Sequence, residues 1–247
     1  MAREPGGSGA RSFRLALLRY RSLTGPSVDV DTAVEVERLE EEIASRVRDA
    51  AESAAAQGEG INALASRLWE TGVIQELYAY TLKRLGLEGG DPLEAYERLL
   101  EGDYDSPGAQ AMFIVMQAIA RAYADVLLER DGVKTILTHV CPVCGVESDV
   151  MVAEPDGGYS MVCPFCYYKW RLPGRGLVCP RCGSRDKFSL GLYMDKSDRR
   201  VALLHCQECG YTARVIMDAS ITEGVPRSVL PLLALGADRF RGLLGEG

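Results

Sequence analysis

The chain has 247 residues, 47% of them hydrophobic, and a net charge of −7. This excludes a disordered polymer and leaves room for one large domain or two modest ones. Residues 1–131 carry 14 basic and 23 acidic side chains, against 14 and 12 in residues 132–247, so the acidity sits in the N-terminal half and an avid nucleic-acid binder is disfavoured.

In chain order, residues 1–28 read as a flexible lead-in with one short apolar patch over 13–18. Residues 1–10 lack the apolar core of a signal peptide, and apolar stretches such as 111–120 fall short of a bilayer span. The expectation is a soluble cytoplasmic protein with no membrane partner. Regular pattern begins near Thr32, which with Glu35 fits a capping box, and Val36, Leu39, Ile43, Val47 and Ala50 follow at helical spacing. A second helical pattern runs from Ile61 to Leu82 with Gly72 as a break. Asp91-Pro92 and Ser106-Pro107 each read as a helix start. Residues 29–132 are thus expected to be an all-helical domain, a bundle of four or more helices.

Beyond Gly132 the period changes. Residues 133–140 read as a lead strand into Cys141. Val150 and Val152 meet a Pro155-Asp156-Gly157-Gly158 turn, and residues 188–194 and 201–205 flank a second polar turn. The expectation is an α+β chain: a first four-cysteine ribbon over 133–175, a second over 176–218, and a C-terminal helical segment over 219–247 with one helix from about Pro226 to Leu244. The ribbons repeat the order knuckle, hairpin, knuckle, strand.

All eight cysteines fall in four C-x2-C pairs: Cys141/Cys144, Cys163/Cys166, Cys179/Cys182 and Cys206/Cys209. Such a turn aims both sulfurs at one ion, and a glycine after the second cysteine permits a left-handed backbone. Gly145, Gly183 and Gly210 fill that place; Tyr167 breaks the pattern and predicts a distorted second knuckle. Two pairs joined by a hairpin make a tetrahedral thiolate site for zinc or for a single iron. Pairing first with second and third with fourth fits the repeat, and a nested pairing is the alternative. A disulfide framework would not require four identical pairs, and a thioredoxin-like pair needs a βαβ setting that is missing here. Four thiolates leave no open coordination position, which argues against hydrolytic metal chemistry.

Other residues weigh less. His139 and His205 lie beside cysteines but are not needed as ligands. Trp170, with Tyr167 and Tyr168, either stacks on bases or covers the ribbon core, and the core is favoured. The stretch 167–215 has ten Lys or Arg against four acids, either a phosphate-binding patch or compensation for thiolate charge. No Gly-rich phosphate loop, Ser-His-Asp set or carboxylate pair stands out, and no catalytic residue is assigned.

The knuckle order resembles that of the FdhE family, the formate dehydrogenase accessory proteins. The residues that carry it are Cys141-Pro142-Val143-Cys144-Gly145, Cys163-Pro164-Phe165-Cys166 leading to Trp170-Arg171, Cys179-Pro180-Arg181-Cys182-Gly183, and Cys206-Gln207-Glu208-Cys209 before Tyr211. The resemblance implies two rubredoxin-like modules able to carry iron. It also implies a cytoplasmic, non-enzymatic maturation factor that binds the catalytic subunit of a molybdenum- or tungsten-dependent formate dehydrogenase, or a related molybdopterin enzyme. Tyr167 and the segment 221–230, less acidic than expected, depart from the pattern. A nucleic-acid zinc ribbon and a rubredoxin-like electron carrier are the competing readings.

Overall fold

Capping side chains set where the helices start in the computed structural model, which describes residues 7–25 and 28–244. Helix α2 (Val30–Gln57) starts at Asp29, which accepts a hydrogen bond from the N–H of Thr32 at 2.8 Å, and ends at Gly58 in left-handed conformation. The cap is therefore Asp29 rather than Thr32: the carboxylate lies one turn earlier and meets the free N–H groups of the first turn. Gly72 separates α3 (Ile61–Glu70) from α4 (Val73–Leu85). Asp91 and Ser106 cap α5 (Pro92–Leu100) and α6 (Pro107–Asp131), each with proline in the first turn.

Helices α2 to α6 enclose one core, built on Leu39, Ile43, Val47, Leu64, Ile74, Met112, Val115 and Ile119. Helix α6 is at its centre and contributes buried residues all along its length. By length and composition α6 resembles a membrane span, but most of its apolar window is buried inside the protein. A helix surrounded by other elements has no polar face to conserve.

Part of the expected lead-in is a helix, α1 (Gly7–Arg19); residues 1–6 and 26–27 lie outside the described residues. The patch at 13–18 belongs to a helical stripe, Phe13, Ala16, Leu17 and Tyr20, buried against the sheet and the C-terminal segment.

The β half forms one sheet of six strands: β1 (Val150–Ala153), β2 (Tyr159–Val162), β3 (Lys169–Arg171), β4 (Leu190–Tyr193), β5 (Val201–Cys206) and β6 (Thr212–Ile216). Their order is β3-β2-β1-β6-β5-β4. Each ribbon supplies three antiparallel strands, and the two halves join through a parallel β1–β6 pair, with Met151 opposite Val215. Residues 133–140 do not form a strand. They run beside β3, tied by the Ile136 N–H to the Arg171 carbonyl at 2.9 Å and the Arg171 N–H to the Lys134 carbonyl at 2.8 Å, with one isolated bridge at Thr135.

Both faces of the sheet are covered, so its strands are apolar almost throughout. Val150, Val152, Val201, Leu203 and Ile216 face α1 and the C-terminal segment. Met151, Met161, Trp170, Ala202, Leu204 and Val215 share a second cluster with Ala120 and Ala124 of α6 and with buried cysteines of both quartets. The C-terminal segment opens with α7 (Ala219–Gly224). The single helix expected over 226–244 is divided into a 3-10 turn (Arg227–Val229), α8 (Leu230–Ala234) and a 3-10 stretch (Leu235–Leu244). Gly236 packs directly on the backbone carbonyl of Leu23, where any side chain would clash.

Ile43 is fully buried at the α2–α6 contact. Ile43→Ala is expected to lower the unfolding free energy by about 2–5 kcal/mol in chemical denaturation, with the helical signal of the native state retained.

Candidate metal centres

Each knuckle repeats one backbone pattern. The residue after the second cysteine donates its N–H to the carbonyl of the first: Gly145 to Cys141 at 3.0 Å, Tyr167 to Cys163 at 3.1 Å, Gly183 to Cys179 at 2.9 Å and Gly210 to Cys206 at 2.8 Å. The first cysteine in turn donates its N–H to the carbonyl of the residue two beyond the second cysteine, at 2.8–2.9 Å in all four. The closing residue is left-handed each time, with φ of +76°, +58°, +81° and +72° in chain order. Tyr167 is the only non-glycine with positive φ among the described residues. The expected distortion of its knuckle does not occur: the turn is kept and the tyrosine adopts the strained conformation.

The hairpins bring these knuckles together as two quartets, Cys141/Cys144/Cys163/Cys166 and Cys179/Cys182/Cys206/Cys209, with all ligand atoms of each within 4.8 Å of one another. This is the sequential pairing, not the nested one. The nearest Sγ–Sγ separations are 3.6 Å (Cys141–Cys166), 3.5 Å (Cys144–Cys163), 3.5 Å (Cys179–Cys209) and 3.6 Å (Cys182–Cys206). A tetrahedron of metal–sulfur bonds near 2.3 Å has edges of roughly 3.8 Å, whereas a disulfide requires about 2.05 Å. All eight cysteines are free thiols. The donor set and its spacing fit one ion per quartet.

The thiols cannot all ionise at this spacing without a cation. In the first quartet the Cys141 thiol is held far below its usual range by hydrogen bonds from Cys144, Cys163 and Cys166, while Cys163 is driven up by Cys141 and Cys144, and Cys166 by burial. In the second, burial pushes Cys179 up to about 12, and the N–H of Ser184 draws Cys182 down. N–H donors from Val143 and Phe165 reach the sulfurs of Cys141 and Cys163, each at 3.4 Å, and would temper charge on a bound complex.

The quartets differ in surroundings. The first lies against the helical domain: Val143 packs into the α2–α6 core and Phe165 meets Phe113 edge-on at 5.4 Å. In the second, Cys182 is exposed and Cys209 half-buried. Neither histidine joins a quartet. His139 pairs with Glu147 at 3.8 Å and packs on Tyr211, and His205 stands in β5 opposite Gly191 and Thr212. Trp170 and Tyr168 are buried in the ribbon core, the indole N–H bonded to the Thr138 carbonyl at 3.0 Å, so neither is available to stack on bases.

Sequence reasoning did not find the polar cluster that Tyr167 enters. Its hydroxyl bonds Glu40 at 3.4 Å and accepts from Gln117 at 3.0 Å. Arg121 bridges Glu37 at 2.9 Å and Glu40 at 3.3 Å, and Ser228 bonds Glu37 at 2.9 Å. Arg227 donates to the Tyr167 carbonyl at 3.0 Å and pairs with Asp125. Helices α2 and α6, the second knuckle and the C-terminal segment therefore meet at one buried ionic junction. The signal was present: Glu40 falls on the stripe Val36-Glu40-Ile43-Val47, a carboxylate on an apolar face. Burial pushes its carboxyl up to about 8, with Arg121 pulling the other way.

No family model and no curated protein matches the chain. By its architecture the protein is a helical domain joined to tandem four-cysteine ribbons. The crystal structure of the FdhE protein from Pseudomonas aeruginosa aligns with it at a TM-score of 0.62 and 13% identity, covering 96% of this chain and 92% of that one. The chain thus has the FdhE fold; at this identity the likeness is one of fold.

Removing metal from the reduced protein with a chelator is expected to remove the ribbon aromatics' share of the near-UV circular dichroism, that of Trp170 and Tyr168 above all, and the amide protection of β1–β6, while the helical signal and the aromatic signal of the α2–α6 core survive. An unchanged spectrum and melting temperature would contradict the metal reading. Glu40 gives a second prediction. Folding raises its pKa from 4.5 to about 8, so the stability tied to its proton is full below 4.5 and is lost as pH rises towards 8. Glu40→Gln should therefore gain stability relative to the wild type across that interval, measured by denaturation at each pH.

Proposed function

We propose that the chain is a cytoplasmic accessory protein of the FdhE type, not an enzyme. In this reading it binds the catalytic subunit of a molybdenum- or tungsten-dependent formate dehydrogenase, or a related molybdopterin enzyme, and assists its maturation. Cys141, Cys144, Cys163, Cys166, Cys179, Cys182, Cys206 and Cys209 ligate two ions, zinc or iron. The observation that carries the reading is the coincidence of an FdhE fold over nearly the whole chain with two closed cysteine quartets. Four thiolates per ion fill a tetrahedral shell, so the ions shape the ribbon rather than bind substrate. If the ion is iron, the same shell also permits one-electron transfer.

The nucleic-acid reading has less support. Of the basic side chains in 167–215, Lys169 pairs with Glu154, Arg171 with Asp156, Arg200 with Asp198, and Arg214 with Asp149 and Asp238. Arg185 is spent on the carbonyls of Pro173 and Arg175. What remains is a weak phosphate footprint.

The test is affinity capture with the full chain from cells of the source organism, with metal analysis of the chain purified free of its partners. The expected result is a molybdopterin-enzyme catalytic subunit among the partners and close to two ions per chain. Capture without any such subunit removes the accessory role.

A further inference from the structure

Helix α5 presents an apolar stripe to solvent. Leu93 and Leu100, seven residues apart on one face, are 51% and 70% exposed, and Tyr104 just beyond is 58% exposed. The inner face of the same helix is used normally, with Ala95 buried and Tyr96 and Leu99 packed on the α2–α6 core. At Tyr104 the stripe opens into a groove of about 330 Å³ lined by Val36, Tyr104, Gln110, Phe113, Ile114 and Gln117. Phe113 forms its wall, edge-on to Tyr104 at 6.2 Å and to Phe165 at 5.4 Å. Phe165 stands between Cys163 and Cys166, so the rings of Phe113 and Phe165 link the groove to the first quartet.

The rim of this surface is acidic. Residues 88–105 contain seven acidic side chains and one basic one, Arg98. Arg98 is already committed to Glu94 at 2.7 Å and Asp103 at 3.6 Å, and Asp91 caps α5. Glu97, Glu101 and Asp105 are exposed and form no ion pair among the described residues. Apolar anchors beside uncompensated carboxylates leave a defined complement: apolar side chains flanked by cations.

We propose that the outer face of α5 and the Tyr104–Phe113 groove form a docking surface for a polypeptide segment of a client protein that carries apolar anchors flanked by Lys or Arg. The proposal rests on the accessory role above and assigns that role a surface. Leu93, Leu100 and Tyr104 supply apolar contact, and the groove takes the deepest anchor. Glu97, Glu101 and Asp105 steer the basic flanks and set polarity.

The test uses the full metal-loaded chain and two short fluorescent peptides. One is built from Leu, Phe, Lys and Arg; the other has every Lys and Arg replaced by Glu. Fluorescence anisotropy at low ionic strength is expected to detect the basic peptide and not the acidic one. Charge reversal by Glu97→Lys, Glu101→Lys and Asp105→Lys together should weaken the basic peptide about tenfold or more and favour the acidic one. Leu100→Ser with Tyr104→Ala should weaken it by a similar factor. All these side chains are surface-exposed, and circular dichroism verifies that each variant folds. Equal affinity in the charge-reversed chain overturns the proposal, as does amide protection by the peptide elsewhere than α5 and the start of α6. So does a dimer that Leu100→Ser disperses, which would give the face to a second copy. Capture of a formate dehydrogenase subunit equally by wild type and charge-reversed chain leaves the accessory role standing and removes this surface. Peptide binding at α5 with no subunit captured by either chain leaves the surface standing and removes the role.

Discussion

Sulfurs held 3.5–3.6 Å apart cannot all carry charge in a protein interior unless a cation lies among them. Two unit charges at that distance repel by about 5 kcal/mol even at an effective dielectric of 20, and each quartet contains two such pairs with the remaining sulfurs within 4.8 Å. A divalent ion would reverse the balance, and binding of order 10–16 kcal/mol per site would add folding energy to the ribbon cluster around Met151, Trp170 and Leu204. The turns that present these sulfurs are fixed by backbone bonds and left-handed closing residues, so the geometry belongs to the chain and is ready for an ion.

The rest of the β half follows from that constraint. Each quartet pins the ends of one hairpin and delivers a third strand to its side. The two three-stranded sheets are fused by the parallel β1–β6 pair. Fusion leaves two apolar faces, one covered by α6 and the other by α1 with the C-terminal segment. Tyr167 belongs to both systems. It closes a knuckle in a conformation that costs a non-glycine residue of order 1–3 kcal/mol, and its hydroxyl enters the ionic junction of Glu40, Gln117 and Arg121. A glycine there would relax the turn and lose the hydroxyl's bonds to Glu40 and Gln117.

Local signals were legible in the sequence, and distant ones were not. The C-x2-C pairs, the glycines behind three of them, the Asp91 and Ser106 caps, and the alternation of Val150 to Val152 and Val201 to His205 all act within a few residues, and the structure realises each. The parallel join between β1 and β6 depends on partners about sixty residues apart, and no local pattern encodes it. Helix α1 was hidden because its apolar stripe is short and its cover comes from the other end of the chain. The segment 133–140 has strand-like composition but meets the edge of β3 at a single bridge. Glu37 and Glu40 sit where partners distant in sequence, Arg121, Tyr167 and Ser228, receive them, and no local pattern reveals the first. The second could have been suspected from its place on an apolar stripe.

The helical and ribbon halves pack directly on one another. The first quartet is shielded by α6 and Phe113, and the second leaves Cys182 exposed, so one site anchors the two halves and the other shapes the far end. What each ion does beyond shaping depends on its being there with four sulfurs around it. X-ray absorption of the purified, metal-loaded chain tests that most directly. The account predicts a first shell of four sulfurs near 2.3 Å for zinc or iron, with no light-atom ligand, at two ions per chain. A shell containing oxygen or nitrogen, or sulfur–sulfur bonds near 2.05 Å in place of an ion, would contradict it.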